Sequence, residues 1–397
     1  MAGWRGGPTA EQVQVRDGFG RVAAAPIRAL WPAPRSACAA MDGIAIRADS
    51  APGPADAARQ WQLPSTAFIW VDTGDLLPPG MDTVVERERV QLGADGSAWI
   101  TGPAPPGLHL RASGEDFQAS QLLLPAGHQL RPPDLAAAAA AGHATLEVSR
   151  RPVAAIIPTG DEIQPAGSAL SPGEVTDSNS LMLAARATEI GAHPLVSDVL
   201  PDDPDVILTE VRRLARSADL VLVVAGSSAG RHDHTAAVLT QAGSLVVRGV
   251  AVRPGHPVLL GYASPGQKRH GELAPPVPVI GIPGYPLAAA VIFELFAVPL
   301  LCALQGRPLP ERAWQRAELA CDWTSSPDVE DWVPVSLTVV STGSSASGTV
   351  VATPGRRGAG SISRLMRAQA WWPIPIGEAK FSRGEHIDVL PIPGAPR

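Results

Sequence analysis

Between residues 151 and 306 short β-branched apolar runs alternate with longer segments whose apolar residues recur at helical spacing. "RPVAAIIPTGDE" is an apolar run closing in a Gly-containing turn, a strand entering a loop. "DSNSLMLAARATEIGA" carries a helical period, with Asp177 or Ser178 as N-cap and Gly191 as terminator. "DVILTEVRRLARSAD" and "DHTAAVLTQAG" predict two further helices, and "LVLVVAG", "SLVVRGVAV" and "PVPVIGIPG" predict strands. The most apolar stretch, Pro286 to Leu304, is interrupted by Glu294 and Pro299, so a buried helix is expected rather than a membrane span. Repeated βα units imply a parallel sheet with ligands beyond the carboxyl ends of its strands.

The flanks differ in period. From about Arg35 to Gly127 short apolar runs such as "FIWVDTG" and "SAWITG" lie between Gly, Pro and Asp, the pattern of a small β-rich unit. "PPDLAAAAAAGHATLEV" predicts a helix opened by Pro132, Pro133 and Asp134 and stopped at Gly142. Beyond about Arg307 short strands and a Ser/Gly-rich turn predict a small β-barrel or sandwich. The fold class expected is therefore multidomain α/β plus β.

At 397 residues the chain is long for one core, and 45% hydrophobic with 18% charged residues describes an ordinary soluble protein. A net charge of -6 argues against nucleic acid and anionic membrane as partners. Lysine occurs only at Lys268 and Lys380, so an anion would be met by Arg, His or backbone N–H. The three cysteines, Cys38, Cys302 and Cys321, show no C-x-x-C pattern, and "MAGWRGGPTAEQ" lacks the apolar core of a signal peptide; a reducing cytoplasm is expected.

The candidate chemistry sits in loops. "VLVVAGSSAGRHDHTAAVL" has the grammar of strand, tight turn and helix, and a helix start offers unpaired N–H groups and a positive dipole end to an anion. It matches neither G-x-x-x-x-G-K-[ST] nor G-x-G-x-x-G. The stretches "TGDE", "TDSN", "PDD", "AGSSAGRHD", "RPGHP" and "GIPGYP" are all expected at strand-to-helix transitions. Carboxylates beside anion-binding turns suggest a Mg²⁺-assisted site for a phosphorylated ligand. Each Asp alone could equally cap a helix, Asp177 above all. His232 and His234 flank Asp233 but find no third ligand at zinc spacing. The loops "MDG", "DTGDLLPPGMDTVVERE" and "RASGED" are turn-rich and acidic, nothing sharper.

Together "AAMDGIAIR", "LPPGMDTVVERE", "RASGEDFQAS", "RRPVAAIIPTGDEI", "VTDSNS", "AGSSAG", "GVAVRPGHP" and "GIPGYPLAAAVIFELF" stand in the order of the molybdopterin molybdenumtransferase family, to which the C-terminal domain of gephyrin belongs. The resemblance runs from about residue 11 to 392. It implies a split linking domain (1–34 and 128–150), an inserted β-rich domain (35–127), an α/β molybdopterin-binding domain (151–306) and a C-terminal β-barrel domain (307–397). It implies a cytoplasmic homodimer that inserts molybdate, or tungstate, into adenylylated molybdopterin and releases AMP with Mg²⁺. Contact with the molybdopterin adenylyltransferase would be possible. The clefts would be shared between subunits.

By the same resemblance Asp42, Asp116, Glu162, Asp202 and Asp233 are candidates for catalysis, and Asp177, Asp202 and Asp233 for metal binding. Thr73, Arg111, Thr159, Gly160, Asp177, Ser178, Gly226, Ser227, Ser228, Gly230, Arg253, His256, Pro283, Gly284 and Pro286 would bind substrate. The chain departs from the family's usual residues at "AGSSAG", at Tyr285, where Asn is common, and at His256, where Lys is common. A non-catalytic cofactor carrier and a molybdopterin adenylyltransferase are the alternative functions.

Overall fold

The structure is a computed structural model and describes residues 8–51, 60–225, 232–264, 268–269, 272–273, 275–340, 348–355 and 362–395. The chain divides into two compact units, Ala10–Val148 and a second made of Met1–Thr9 with Ser149–Arg397.

The second unit contains the α/β domain. Its strands are β1 (Val153–Pro158), β2 (His193–Val196), β3 (Leu220–Ala225), β4 (Gly243–Arg248), β5 (Leu259–Ala263) and β6 (Val277–Pro283). They form one sheet in the order β2-β1-β3-β6-β5-β4. β2, β1, β3 and β6 run parallel, whereas β5 is antiparallel to both β6 and β4. The helices are α1 (Asn179–Glu189), α2 (Pro204–Leu214), α3 (His232–Ala242) and α4 (Pro286–Leu304).

Alternation along each strand assigns residues to one face or the other. Ala154 and Ile156 pack with Leu183 of α1 and Leu301 of α4, while Ala155 and Ile157 pack with Val211 of α2 and Leu239 of α3. Both faces are therefore covered, which is why the strands read as continuous apolar runs. Each fully buried Leu or Ile contributes about 2 kcal/mol of burial free energy.

Four local features differ from the sequence reading. "SLVVRGVAV" is not one strand: β4 ends at Arg248, Gly249 turns at φ +79°, and Val252–Arg253 pairs instead with Glu330 and Asp331 of the C-terminal domain. "RPGHP" accordingly links two strands rather than a strand and a helix. "TGDE" leads first to a two-strand bridge, Ile163–Gln164 with Val175–Thr176, and only then to α1. In α4 the turn Phe293–Ala297 is π-helical, immediately before Pro299, which has no N–H to donate and would clash with a regular preceding turn.

Glu294 in that π turn is largely buried, its side chain 10% exposed. Its carboxylate receives Arg186 Nε at 2.6 Å and also pairs with Arg312. Burial pushes its pKa up, but the hydrogen bonds and charges of Arg186 and Arg312 outweigh this and hold it below the ordinary value.

The C-terminal domain uses β7 (Gln315–Leu319), β8 (Glu330–Val340), β9 (Thr349–Pro354), β10 (Ala370–Ile374) and β11 (His386–Pro391). Pairing runs β8-β9-β7-β11-β10 and returns from β10 to β8, closing a five-stranded barrel around Val335, Trp372 and Val389. Of the two architectures expected, it is the barrel.

The first unit is β-rich. Strand Gly43–Ile46 lies between Ile69–Val71 and Thr83–Glu86, and a second three-stranded sheet joins Gln60–Leu63, Ala98–Thr101 and Val90–Leu92. Gly43 of the "MDG" loop is required by space: a Cβ there would lie 1.9 Å from Val85 O. The helix Pro132–Ala140 forms as expected, with Asp134 accepting the Arg131 N–H at 2.8 Å, and Gly142 follows it at φ +103°.

Candidate active site

At the carboxyl ends of β1, β3 and β6 a cavity of about 370 Å³ opens, lined by Thr159, Glu162, Asp177, Ser178, Asn179, Val224, Gly284, Tyr285 and Pro286 among others. β2 follows β1 in sequence and lies on one side of it, β3 on the other, so this is the point where strand order reverses. Loops leaving β1 and β3 there part to opposite faces and leave a crevice.

Each wall has a local cause. Thr159 is buried, and its N–H donates to Val224 O at 2.9 Å, fixing the start of the "TGDE" loop to β3. Gly160 at φ +145° turns that loop, and a Cβ there would meet Ile163 Cγ1 at 2.7 Å and Glu162 Oε2 at 3.0 Å. Ser178 occupies the N-cap position of α1, while Asp177 Oδ1 takes the Ser180 N–H at 3.0 Å. Asp177 thus fills the capping role expected of it and still lines the cavity. Among the described residues no donor is recorded on its Oδ2.

Asn179 joins two helix starts. Its Nδ2 donates to Gly284 O at 2.7 Å, tying α1 to the turn that opens α4. With one face of the cavity formed by the first turns of both helices, their N–H groups and dipoles favour an anionic ligand. In the sequence "TDSN" signals only a helix start and nothing marks Asn179, whose partner lies 105 residues away.

The other candidates of this unit lie nearby in separate groups. Asp202 and Asp161 bridge their loops reciprocally: Asp202 N–H donates to Asp161 Oδ1 at 3.1 Å and Asp161 N–H to Asp202 Oδ2 at 3.4 Å. Asp203, the third residue of "PDD", is the N-cap of α2 and takes the Asp205 N–H at 2.8 Å. A second cavity of about 370 Å³ holds Arg253, His256 and Pro283, against Trp323, Asp331 and Trp332 of the C-terminal domain. There Arg253 is ion-paired with Asp331, its Nε donating to Oδ1 at 3.2 Å, and Ser325 Oγ donates to Asp331 Oδ2 at 2.8 Å. Asp331 carried no sequence signal, standing 78 residues from its partner. The exposed His256 faces its Nδ1 to Val250 O at 2.7 Å, so that nitrogen is a donor and Nε2 is the atom left for a ligand.

Gly226, Ser227, Ser228 and Gly230 lie outside the described residues. So does the Asp233 side chain, although its backbone belongs to α3. One of the three carboxylates expected at the metal, Asp233, thus has its side chain outside the described residues, and among the described residues no group of three or more His, Cys, Asp or Glu side chains could hold a metal ion.

In the first unit Asp42, Thr73, Arg111 and Asp116 occupy loops brought near one another by short pairings. Strand Cys38–Ala39 pairs with Leu110–Arg111, and Gly74 N–H donates to Ala39 O. Asp42 Oδ1 receives both the Thr73 hydroxyl and the Thr73 N–H at 2.7 Å. These bonds, the hydroxyl foremost, hold the Asp42 pKa below its ordinary value. Arg111 pairs with Asp116 at 2.8 Å.

Comparison with known proteins accounts for this division. Three family models match in succession: "MoeA N-terminal region (domain I and II)" over residues 5–142, "Probable molybdopterin binding domain" over 155–303, and "MoeA C-terminal region (domain IV)" over 316–392. A molybdopterin molybdenumtransferase of Nostoc is 28% identical across 94% of this chain and 87% of its own length. Molybdopterin molybdenumtransferase 2 of Mycobacterium tuberculosis is 33% identical across 72% of this chain and 73% of its own. The crystal structure of the molybdopterin biosynthesis MoeA protein of Pyrococcus horikoshii superposes with a TM-score of 0.77 at 28% identity, covering 97% of this chain and 95% of that one. With its cavity-bearing sheet matched by the molybdopterin-binding model and its flanks by the two MoeA regions, the chain belongs to the molybdopterin molybdenumtransferase family.

Proposed function

We propose that this protein is a molybdopterin molybdenumtransferase that takes adenylylated molybdopterin and an oxyanion, molybdate or tungstate, and releases AMP. The observation that carries the reading is the convergence of Thr159, Glu162, Asp177, Ser178 and Gly284 on one cavity at the strand-order reversal of the domain matched by the molybdopterin-binding model. Helix N–H groups on one wall suit phosphate, and carboxylates on another suit a cation that shields it.

Mg²⁺ fits such a set, because it is held by one or two carboxylates together with ligand phosphates and keeps several waters. Asp177, with one carboxylate oxygen taken by Ser180 N–H, would hold it, and Asp233 is the second candidate by family resemblance. The ion would offset negative charge on the departing adenylate. Thr159 and Ser178 would orient the phosphate, and Asn179 keeps both helix starts in register for it.

The four-part domain division, a cytoplasmic homodimer with clefts shared between subunits, and contact with the adenylyltransferase belong to the same proposal. The loops of Asp42, Thr73, Arg111 and Asp116 would complete the cleft. The test is incubation with adenylylated molybdopterin, Mg²⁺ and either oxyanion, following AMP. Oxyanion-dependent AMP release supports the reading. Tight cofactor binding without release would make the protein a carrier, and formation of adenylylated molybdopterin from ATP would make it an adenylyltransferase.

A further inference from the structure

Tyr285 lines both cavities, the polar one of Asp177 and the more apolar one of Arg253. Its backbone is held on three sides. Gly284 O before it takes the Asn179 amide, its own carbonyl accepts the Ala289 N–H at 2.9 Å, and Pro286 follows with a fixed φ. The residue is 46% exposed, and among the described residues its hydroxyl has no hydrogen-bond partner. A large aromatic residue on a fixed stem, with an unused hydroxyl and a place in the lining of two cavities, is built to touch what enters both.

Asn179 adds an independent sign that the polar cavity expects a ligand. It is only 9% exposed and spends its amide donor on Gly284. Its Oδ1 remains buried without a partner among the described residues. Such an acceptor costs free energy until a donor arrives, and a ligand N–H is a suitable one.

We infer that Tyr285 is a specificity-determining wall shared by two subsites, one for each substrate of the reaction proposed above: the adenylylated pterin and the oxyanion. The inference rests on that reading of function. The residue borders both subsites, and its hydroxyl is a donor available to whichever anionic group lies against it. Replacing it therefore disturbs the recognition of both substrates, not one.

The experiment is steady-state AMP release by the full chain with each substrate varied at saturating levels of the other, in wild type, Tyr285→Phe and Tyr285→Ala. The lost ring contact should raise both KM values about fivefold or more in Tyr285→Ala. Tyr285→Phe should keep most of the affinity, and unchanged far-UV circular dichroism should show that both variants are folded. A shift confined to one KM, or a fall in kcat with both KM values unchanged, overturns the shared wall. Should wild type release no AMP with either oxyanion, the proposed reaction fails first; should wild type work and Tyr285→Ala match it, only this inference fails.

Discussion

Replacing Glu294 by Gln should loosen the framework of the candidate site from a distance. Glu294 is 10% exposed, and its partners Arg186 and Arg312 are 16% and 18% exposed, so solvent screens these ion pairs weakly. Removing one partner of a buried pair costs about 3 kcal/mol, because the remaining charges stay desolvated; Arg186 keeps Glu189 at 2.8 Å as a second partner, and Arg312 bears most of the loss. Arg186 lies on α1 and Glu294 on α4, the two helices whose first turns Asn179 also joins at the cavity.

Residues 151–306 contain no tryptophan, so fluorescence would report on other domains. Hydrogen exchange on peptides from α1 and α4 is the suitable assay. A loss of about 3 kcal/mol in local opening free energy speeds exchange by about a hundredfold. The pair Arg47–Asp49, with side chains 63% and 64% exposed, is the control, and Asp49→Asn should change exchange in its own segment about twofold at most.

The pH dependence follows from the lowered pKa of Glu294. A carboxylate with a folded pKa below its unfolded value contributes stability in full above the unfolded value, near ~4.3, and loses it as pH falls through the folded one. Wild type should lose this contribution in that acid window, and Glu294→Gln should not. Exchange accelerated by less than about fivefold at neutral pH would refute the reasoning, since it would show a pair worth no more than a surface one.

Asp177→Asn should abolish most oxyanion-dependent AMP release while costing about 1 kcal/mol or less in stability, since Asn can still accept the Ser180 N–H; activity near wild type at limiting Mg²⁺ would reduce Asp177 to a cap. Thr73→Val, by removing the hydroxyl donor, should raise the Asp42 carboxyl toward its ordinary pKa in a carbon-13 NMR titration, and an unmoved titration would count against the bond. Gly160→Ala should destabilise the "TGDE" loop by about 1–3 kcal/mol, read as faster exchange at Thr159 and Gly160, because its φ of +145° and 2.7 Å approach to Ile163 leave no room for a methyl group. If clefts are shared in a homodimer, mixing Asp42→Ala with Asp177→Ala chains at random should restore about a quarter of the sites, whereas no recovery in demonstrated heterodimers would place the whole site in one subunit.

Much of this protein is legible along the chain because the relevant forces are local. Period and caps determine α1 from Asn179 to Glu189, including the stop before Gly191, since helix ends are satisfied by neighbouring residues. The buried strands of the sheet show themselves as apolar runs for the same reason, and the eight motifs in order identify the family. Local pattern could not decide that "SLVVRGVAV" breaks, with its second half joining the barrel, because that choice depends on Glu330 and Asp331 far along the chain. Nor could it decide that Arg253 is claimed by Asp331, that Asn179 clasps Gly284, or that Tyr285 lines two cavities. Those facts arise where loops from separate strands meet in space, and hydrogen bonds and ion pairs act over a few ångströms whatever the sequence separation.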